Sequence, residues 1–329
     1  MTSTSPLKGD ISKNSEVIRV AGLAKSYNSH PALRQVDFTV RRGEILAYLG
    51  PNGAGKTTTI KILGGLLSWD AGEVKVCGLD VAQEPVAIKR LIGVVPEESN
   101  LYPELSCQRN LDYLGELYGL PRSLRKSRTA ELLAQFELGE RALTPFGALS
   151  RGLKRRLTIA GALIHDPEVL FLDEPTTGLD VLSARALRDL VRFIHRQGKT
   201  VFLTTHNLQE AEALCQRVVI LIRGRVAAEG TTTAILASVR RCQLVLATFS
   251  GEVSLSDLRR SCPAVVAGRP HNGAWRLEIS DLHAALAQLL AFADSVGLRL
   301  EEISTVGPSL EEAFLEIVQE NPGASGRGS

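Results

Sequence analysis

The sequence predicts an α/β fold, a mainly parallel sheet covered by helices on both faces, and three observations support this. Near-continuous apolar runs at residues 45–49, 168–172, 200–203 and 218–222 alternate with stretches of helical periodicity, the pattern of fully buried parallel strands. A glycine-rich loop joins the first run to a helix. The second run ends in two adjacent carboxylates. Because such sheets bind ligands at the carboxyl ends of their strands, both features are candidate parts of one site.

Smaller elements surround this core. Alternating runs at residues 17–20, 33–40 and 73–76 predict a small antiparallel sheet beside the strand that enters the glycine-rich loop. Between about 98 and 160, helical spacing interrupted by prolines predicts a helical insertion. After residue 231 a second pattern of alternating apolar residues predicts a separate small α+β domain.

The last helix of that domain is predicted to start at a capping box, Ser309 with Glu312 three residues later. Low-complexity ends rich in Ser and Gly predict disorder at both termini. The expected divisions are a disordered leader at 1–15, an α/β domain at 16–232, an accessory domain at 240–320 and a disordered tail at 321–329.

Composition excludes several classes of protein. A 329-residue chain with 44% hydrophobic residues is long enough for two globular domains, and its net charge of +2 without a basic stripe argues against a nucleic-acid partner. The five cysteines form no C-x-x-C pair, so neither a disulfide framework nor a zinc site is indicated, and free thiols in a reducing cytoplasm are expected. No apolar run reaches the roughly 18 residues that a membrane span requires.

The glycine-rich loop fits the pattern G-x-x-x-x-G-K-[ST] between a strand and a helix, which is the context that a phosphate-binding loop needs. Its backbone N–H groups and the start of the helix would surround an anion. Lys56 would reach the β- and γ-phosphates, and Thr57 would offer its hydroxyl to Mg²⁺. The predicted nucleotide-binding residues here are Gly50, Pro51, Asn52, Gly53, Ala54, Gly55, Lys56, Thr57 and Thr58.

Two other segments of the chain carry residues that would act on a nucleotide bound to this loop. Asp173 and Glu174 end an apolar strand; Asp173 would hold Mg²⁺ through water, and Glu174 would orient or deprotonate an attacking water. Alternatively, they only terminate a buried strand, an interpretation that the phosphate loop makes much weaker. Ser150 and Gly152 precede a helix, where a hydroxyl and free amides form a second anion site or, read alone, an ordinary helix cap.

The order of five motifs resembles the nucleotide-binding subunit of ATP-binding cassette (ABC) transporters. The motifs are residues 50–57 (Walker A), 149–152, 170–175 (Walker B), 176–180 and 204–206, and the resemblance covers about 17–231. It implies a P-loop NTPase core with an antiparallel β subdomain and a helical insertion. It also implies a head-to-tail homodimer that closes on two ATP molecules, each capped by Ser150 and Gly152 of the other subunit.

The resemblance also assigns roles to single residues. Catalysis would rest on Glu174, Lys56 and His206, the last as a switch histidine that contacts the γ-phosphate. Tyr27 would stack on adenine, although it could equally pack at a strand edge. Asp180 would communicate across the dimer interface. Two departures stand out: Glu97 occupies a position where the family usually has a Gln ligand of Mg²⁺, and Arg151 and Leu153 replace Gly and Gln in the second motif.

Residues 307–315 resemble the ending of cassettes in bacterial multidrug, antibiotic and sodium exporters, whose permeases are separate chains. The expected function is an exporter ATPase that lies on the inner face of the cell membrane by docking a permease through the segment between Glu97 and Tyr118. Two alternatives remain at this stage: a soluble cassette ATPase that acts on ribosomes or DNA, and a regulatory cassette that hydrolyses ATP slowly. The transported substrate is not readable, because it would touch the permease.

Overall fold

The structure is a computed structural model, and it describes residues 15–28, 30–238, 243–306 and 309–320. The predicted tail at 321–329 lies outside the described residues, as do Gly307, Pro308 and all of the predicted leader except Ser15. The described residues divide into two compact units, one formed by residues 15–232 and 318–320 and the other by Thr233–Ile317. Each unit is considered by itself.

The elements of the first unit alternate between strands and helices. Its strands are β1 (Glu16–Tyr27), β2 (His30–Arg41), β3 (Ile45–Leu49), β4 (Ala71–Val76), β5 (Leu79–Asp80), β6 (Ile92–Val95), β7 (Val169–Asp173), β8 (Thr200–Thr205), β9 (Arg217–Ile222) and β10 (Arg225–Thr231). Its helices are α1 (Lys56–Leu63), α2 (Pro85–Leu91), α3 (Cys107–Leu117), α4 (Arg122–Gln135), α5 (Arg151–Ala162), α6 (Val181–Arg196) and α7 (Leu208–Leu214).

The central sheet has the strand order β10-β9-β3-β8-β7-β6. All neighbours are parallel except β10, which pairs antiparallel with β9. Strands β3, β7 and β8 are buried along their whole length, which confirms the predicted α/β class. In the register of the sheet Leu49 pairs with Thr205 and Asp173 pairs with Thr204, so the strands before the glycine-rich loop, Glu174 and His206 end side by side.

A second sheet, with the order β2-β1-β4-β5, is antiparallel. The predicted alternation along β2 is real: Val36, Phe38 and Val40 are buried and their neighbours are more exposed. Phe38 links the two sheets, because its ring centroid lies 5.2 Å from that of Tyr48 on β3 and 5.8 Å from that of Phe202 on β8. Aromatic packing of this kind fixes the antiparallel sheet against the strand that enters the glycine-rich loop.

Helices α3, α4 and α5 form the predicted helical insertion between β6 and β7. Buried Asn110 on α3 organises the preceding loop, since its amide nitrogen donates to the carbonyls of Tyr102, Leu105 and Ser106. The backbones of α5 and β6 touch directly: a Cβ at Gly93 would lie 2.3 Å from the carbonyl oxygen of Ala162. Only glycine permits this approach.

The elements of the second unit occur in the order α8, β11, α9, β12, β13, α10, β14 and α11. Their bounds are α8 (Thr232–Ser238), β11 (Gln243–Phe249), α9 (Leu255–Ser261), β12 (Val265–His271), β13 (Ala274–Ile279), α10 (Leu282–Ser295), β14 (Leu300–Val306) and α11 (Leu310–Glu320). The sheet order β12-β13-β11-β14 is antiparallel throughout, so β11 to β14 form a ferredoxin-like βαββαβ unit.

The predicted capping box at the start of α11 is confirmed. Ser309 N donates to Glu312 Oε2 at 3.2 Å, and Glu312 N donates to Ser309 Oγ at 3.3 Å. The core of this unit is apolar and includes Val245, Leu277 and Leu289. Across the described residues of both units, no helix is long and apolar enough to cross a membrane.

Candidate functional site

The glycine-rich loop runs from the end of β3 to the start of α1, as the motif predicts. Gly55 has φ +109°, and a Cβ there would lie 2.7 Å from the carbonyl oxygen of Ala32. A Cβ at Gly50 would lie 2.4 Å from the carbonyl oxygen of Leu221. Both positions therefore require glycine, because any side chain would collide with main-chain atoms that belong to neighbouring strands. The loop is compact and its backbone is available to an anion at the start of α1.

Lys56 lies inside this loop rather than in solvent; only 6% of the residue is exposed. Its Nζ donates to the carbonyl oxygen of Gly50 at 2.8 Å and to that of Pro51 at 3.3 Å, and it pairs with Glu174 Oε1 at 3.2 Å. A buried ammonium is stable only with such partners. A phosphate entering the loop would compete with Glu174 for the same charge.

Asp173 is held beside Thr57, as the predicted metal site requires. Thr204 Oγ1 donates to Asp173 Oδ1 at 2.5 Å, and Thr57 Oγ1 donates to the same oxygen at 3.4 Å. Asp173 is buried, so these hydroxyls fix the direction of its carboxylate. The structure thus brings a carboxylate and a hydroxyl together at the start of α1.

Glu174 adopts an uncommon backbone conformation, with φ +46°. Its N–H donates to the carbonyl oxygen of Thr204 at 3.1 Å, and its Oε2 lies 2.8 Å from His206 Nδ1. Thr177 Oγ1 also donates to Oε2, at 3.4 Å. The turn therefore directs the carboxylate between Lys56 and His206, so Glu174 contacts both of the other predicted catalytic residues.

Ser150, Gly152 and Asp180 occupy the starts of two neighbouring helices. Ser150 caps α5 by accepting from Leu153 N at 3.4 Å, and Asp180 caps α6 by accepting from Ser183 N at 2.9 Å. The hydrogen bond from the Ser183 N–H lowers the pKa of Asp180. A Cβ at Gly152 would lie 2.8 Å from Ser183 Oγ, so the two helix starts are close together. Ser150 and Asp180 are exposed and contact none of the three catalytic residues within the described part of the chain.

The two remaining predicted residues are also exposed. Tyr27 ends β1, is 46% exposed and has Lys25 Nζ 5.8 Å from its ring centroid. Glu97 follows β6, and in the described residues its carboxylate makes no hydrogen bond or ion pair with Asp173 or Thr57. Their roles toward adenine and metal stay predictions.

Sequence reasoning missed Arg155 on α5, which is 7% exposed. Its guanidinium donates to five main-chain carbonyl oxygens: Pro175 at 2.9 Å, Asp173 at 2.6 Å, Glu174 at 2.9 Å, Glu97 at 3.2 Å, and Pro96. Burial lowers the pKa of Arg155, and the charge of Asp173 opposes that effect. The available signal was its position four residues before buried Ile159, on the inward face of the helix.

Sequence reasoning also missed Glu210 on α7, which is 1% exposed. Neither of its carboxylate oxygens has a well-formed hydrogen-bond partner in the described residues, and burial raises the pKa of this carboxyl. The sequence itself misleads here, because Asn207 and Glu210 have the spacing of an exposed capping box. Asn207 Oδ1 does accept from Glu210 N at 3.1 Å, but the glutamate side chain turns inward.

Three features define the class of protein as a P-loop nucleoside triphosphatase. They are a phosphate-binding loop with a buried lysine, a strand that ends in adjacent Asp and Glu residues, and a histidine in contact with that glutamate. The ABC transporter sequence profile matches residues 33–177. The chain is 35% identical over 305 residues to the linearmycin resistance ATP-binding protein LnrL of Bacillus subtilis (strain 168), a match that spans 92% of this chain and 98% of the relative.

Two further similarities agree with this. The Nod factor export ATP-binding protein I of Ralstonia nicotianae (strain ATCC BAA-1114 / GMI1000) is 39% identical over 229 residues, 70% of this chain and 71% of that protein. The dimeric post-hydrolysis structure of the ATP-binding cassette MJ0796 bound to ADP and Pi has a TM-score of 0.60 and 29% identity, over 65% of this chain and 98% of that one.

The chain therefore belongs to the ABC transporter family. It is an ATP-binding, ATP-hydrolysing subunit of the export type, which powers a permease on a separate chain. The family, fold class and activity predicted from the sequence are confirmed, and the alternative of a soluble ATPase that acts on ribosomes or DNA is not favoured.

Proposed function

We propose that this chain drives export by hydrolysing ATP at the contact between Lys56, Glu174 and His206, and the observation that supports this most directly is that contact itself. Glu174 Oε1 lies 3.2 Å from Lys56 Nζ, and Glu174 Oε2 lies 2.8 Å from His206 Nδ1. When ATP binds, Lys56 exchanges Glu174 for phosphate oxygens. That exchange frees Glu174 to accept the proton of the attacking water, and His206 keeps the carboxylate in place.

Thr57 and Asp173 are the residues that would hold Mg²⁺. Their donor set fits a hard cation, because both supply oxygen and Thr57 Oγ1 lies 3.4 Å from Asp173 Oδ1. When bound, Mg²⁺ supplies charge neutralisation at the phosphates. Thr204 contributes by holding Asp173 toward Thr57. Glu97 is a third candidate oxygen donor, on the loop that follows β6.

The complete site is formed by two copies of the chain arranged head to tail. Ser150 is exposed and Gly152 is half-buried at the start of α5, where free amides and the helix dipole favour a phosphate. In the proposed dimer they cap the γ-phosphate that lies on Lys56 of the other copy, and Tyr27 stacks on adenine. Asp180 accepts a hydrogen bond from Ser183, which lies beside Gly152, so Asp180 is at the same proposed interface. There it links the two ATP sites of the dimer.

The permease binds the helical insertion. Exposed apolar side chains cluster there, including Tyr102, Tyr113, Leu117 and Tyr118, and the rings of the first two lie 5.3 Å apart at 88°. Tyr118 and Leu66 also line a cavity of 180 Å³ between the insertion and the segment that follows α1. Contiguous apolar surface of this kind marks a protein interface. Docking here places the chain on the inner face of the cell membrane.

The test is to purify the chain alone and together with each multi-spanning membrane protein that the neighbouring genes encode. We expect Mg²⁺-dependent ATP hydrolysis by the chain, co-purification of the two proteins, and hydrolysis that responds to the permease. Absence of hydrolysis in both preparations would refute the proposed site. Hydrolysis without any association would refute the proposed partner alone.

A further inference from the structure

Arg155 is a buried cation without a carboxylate in contact with it. Its three guanidinium nitrogens donate only to main-chain carbonyls, two on the loop after β6 and three at the end of β7. No ion pair of Arg155 occurs among the described residues, although the charge of Asp173 and more distant carboxylates stabilises it. The Arg155 side chain therefore fixes the positions of main-chain segments: its rigid, planar guanidinium joins helix α5 to the loops that follow β6 and β7.

The loop that it holds contains the strained position of the site. A non-glycine residue with φ +46° is uncommon and persists only where its surroundings fix it. Glu174 is fixed on both sides: its N–H donates to Thr204, and its carbonyl oxygen accepts from Arg155 Nη2 at 2.9 Å. The same nitrogen holds the preceding carbonyl, that of Asp173, at 2.6 Å.

We propose that Arg155 is a positioning residue for ATP hydrolysis, which holds the backbone of Glu174 in the conformation that directs its carboxylate to Lys56 and His206. The inference rests on the proposed role of Glu174 as the base. Helix α5 then has two functions: it presents Ser150 and Gly152 to the partner's ATP, and it positions Glu174 through Arg155. Because Arg155 also binds the carbonyls of Pro96 and Glu97, it ties the loop after β6 to the same point.

Lysine is the informative substitution, because it keeps the charge and much of the apolar stem but loses the planar fork. We expect Arg155→Lys to lower kcat by about 10- to 100-fold, the scale of a catalytic group misplaced by about 1 Å, and to change the Kd for ADP by less than about threefold. Arg156→Lys is the matched control. Arg156 is the next residue, but it pairs with exposed Glu137 and contacts none of the catalytic residues in the described part of the chain, so its substitution should leave kcat unchanged.

A double substitution separates positioning from a general structural effect. If Arg155 acts through Glu174, adding Arg155→Lys to Glu174→Gln should cause no further loss of kcat, because the base that it positions is already absent. A merely structural role would lower turnover in both backgrounds. Arg155→Gln, which keeps planar N–H donors without charge, repeats the comparison with different chemistry.

Each outcome decides the proposal. Loss of kcat with ADP binding retained, absent from the control and not additive with Glu174→Gln, supports it. Normal kcat in Arg155→Lys overturns it, and so does the loss of ADP binding together with turnover in both Arg155 variants. If Glu174→Gln hydrolyses ATP normally, Glu174 is not the base and the proposed function is refuted. The inference about Arg155 is then refuted as well, because it depends on that role of Glu174.

Discussion

The two units differ in what they bury. Buried polar and charged side chains occur throughout the first unit: Glu44, Lys56, Thr59, Asn110, Thr129, Arg155, Thr158, Asp173, Glu174, Thr200, Thr204, Thr205 and Glu210. In the described residues of the second unit, every side chain that is buried is apolar. The second unit has an ordinary hydrophobic core, whereas the first combines such a core with a group of buried charges.

This difference shows that the desolvation cost of buried charges falls on the first unit. Removing a charge from water costs several kcal/mol even after relaxation, so buried charges persist where partners compensate them or where the site needs them. Lys56 and Glu174 compensate each other, and carbonyl oxygens compensate Arg155. The buried core of the second unit is stabilised by hydrophobic burial, without buried charges among the described residues. We therefore expect substitutions of buried charge to affect turnover strongly and loss of the second unit to affect nucleotide binding weakly.

The largest effect is expected for Glu174→Gln, which keeps the shape of the side chain but removes the base. ATP turnover should fall by about 10²- to 10⁴-fold while ATP binding is retained. Steady-state ATPase assays and equilibrium ATP binding measure the two quantities separately. Glu140→Gln, at an exposed position, is the control and should leave turnover unchanged. Near-normal turnover in Glu174→Gln would remove this residue from the mechanism.

The next largest effect is expected on ATP-dependent dimerisation. In the proposed dimer the first unit contributes exposed residues such as Ser150, not only buried ones. With Glu174→Gln present, ATP should produce a dimer that light scattering detects, and Ser150→Arg should abolish it by placing bulk where the partner's phosphate binds. Ser123→Arg, on the exposed face of α4, should leave the dimer intact. A dimer indifferent to both ATP and Ser150→Arg would contradict the shared site.

Removing the second unit tests the comparison directly. A chain that ends after Ser238 lacks the ferredoxin-like unit but keeps every buried charge named above. Because every predicted nucleotide-binding residue belongs to the first unit, we expect its Kd for ATP to stay within about threefold of the full chain. Loss of nucleotide binding in a truncated protein that circular dichroism shows to be folded would mean that the second unit supports the site.

A limited effect on turnover is expected for Glu97→Gln, because two consequences of its carboxylate oppose each other. The charge attracts Mg²⁺ but repels the γ-phosphate, so the net change in turnover should be at most about tenfold. We expect the variant to need more Mg²⁺ for half-maximal ATPase activity while remaining active. Glu98→Gln is the adjacent exposed control. Superimposable Mg²⁺ titrations of Glu97→Gln and the unchanged protein would place Glu97 on the permease surface instead.

The sequence was sufficient to bring together residues whose placement follows from local spacing. Gly55, Lys56 and Thr57 lie within one loop, and the Asp173-Glu174 pair ends one strand, so each motif carries its own context. Arg155 was not predictable in this way, because its partners are carbonyls far away in the sequence. Glu210 was not predictable either, because only the fold shows that its side chain is buried. An arginine in a basic run, and a glutamate at a capping-box spacing, both resemble exposed residues until the fold buries them.

The same limit applies to strand pairing. Alternation predicted strands on both sides of residue 231, and the antiparallel sheet of the first unit agrees with it. The ferredoxin-like order of β11 to β14 was beyond the sequence pattern, because it depends on pairing between strands separated by helices. Hydrophobic periodicity shows that a strand has one buried face and does not identify its neighbour.

The close approach at Gly93 has a mechanical consequence. Since the backbones of β6 and α5 meet there, and Arg155 binds the loop at the end of the same strand, helix and sheet share two points of attachment. Neither backbone can yield without breaking regular hydrogen bonds. We therefore expect α5 to move with β6, so that any displacement of the helical insertion relative to the parallel sheet is smallest at α5.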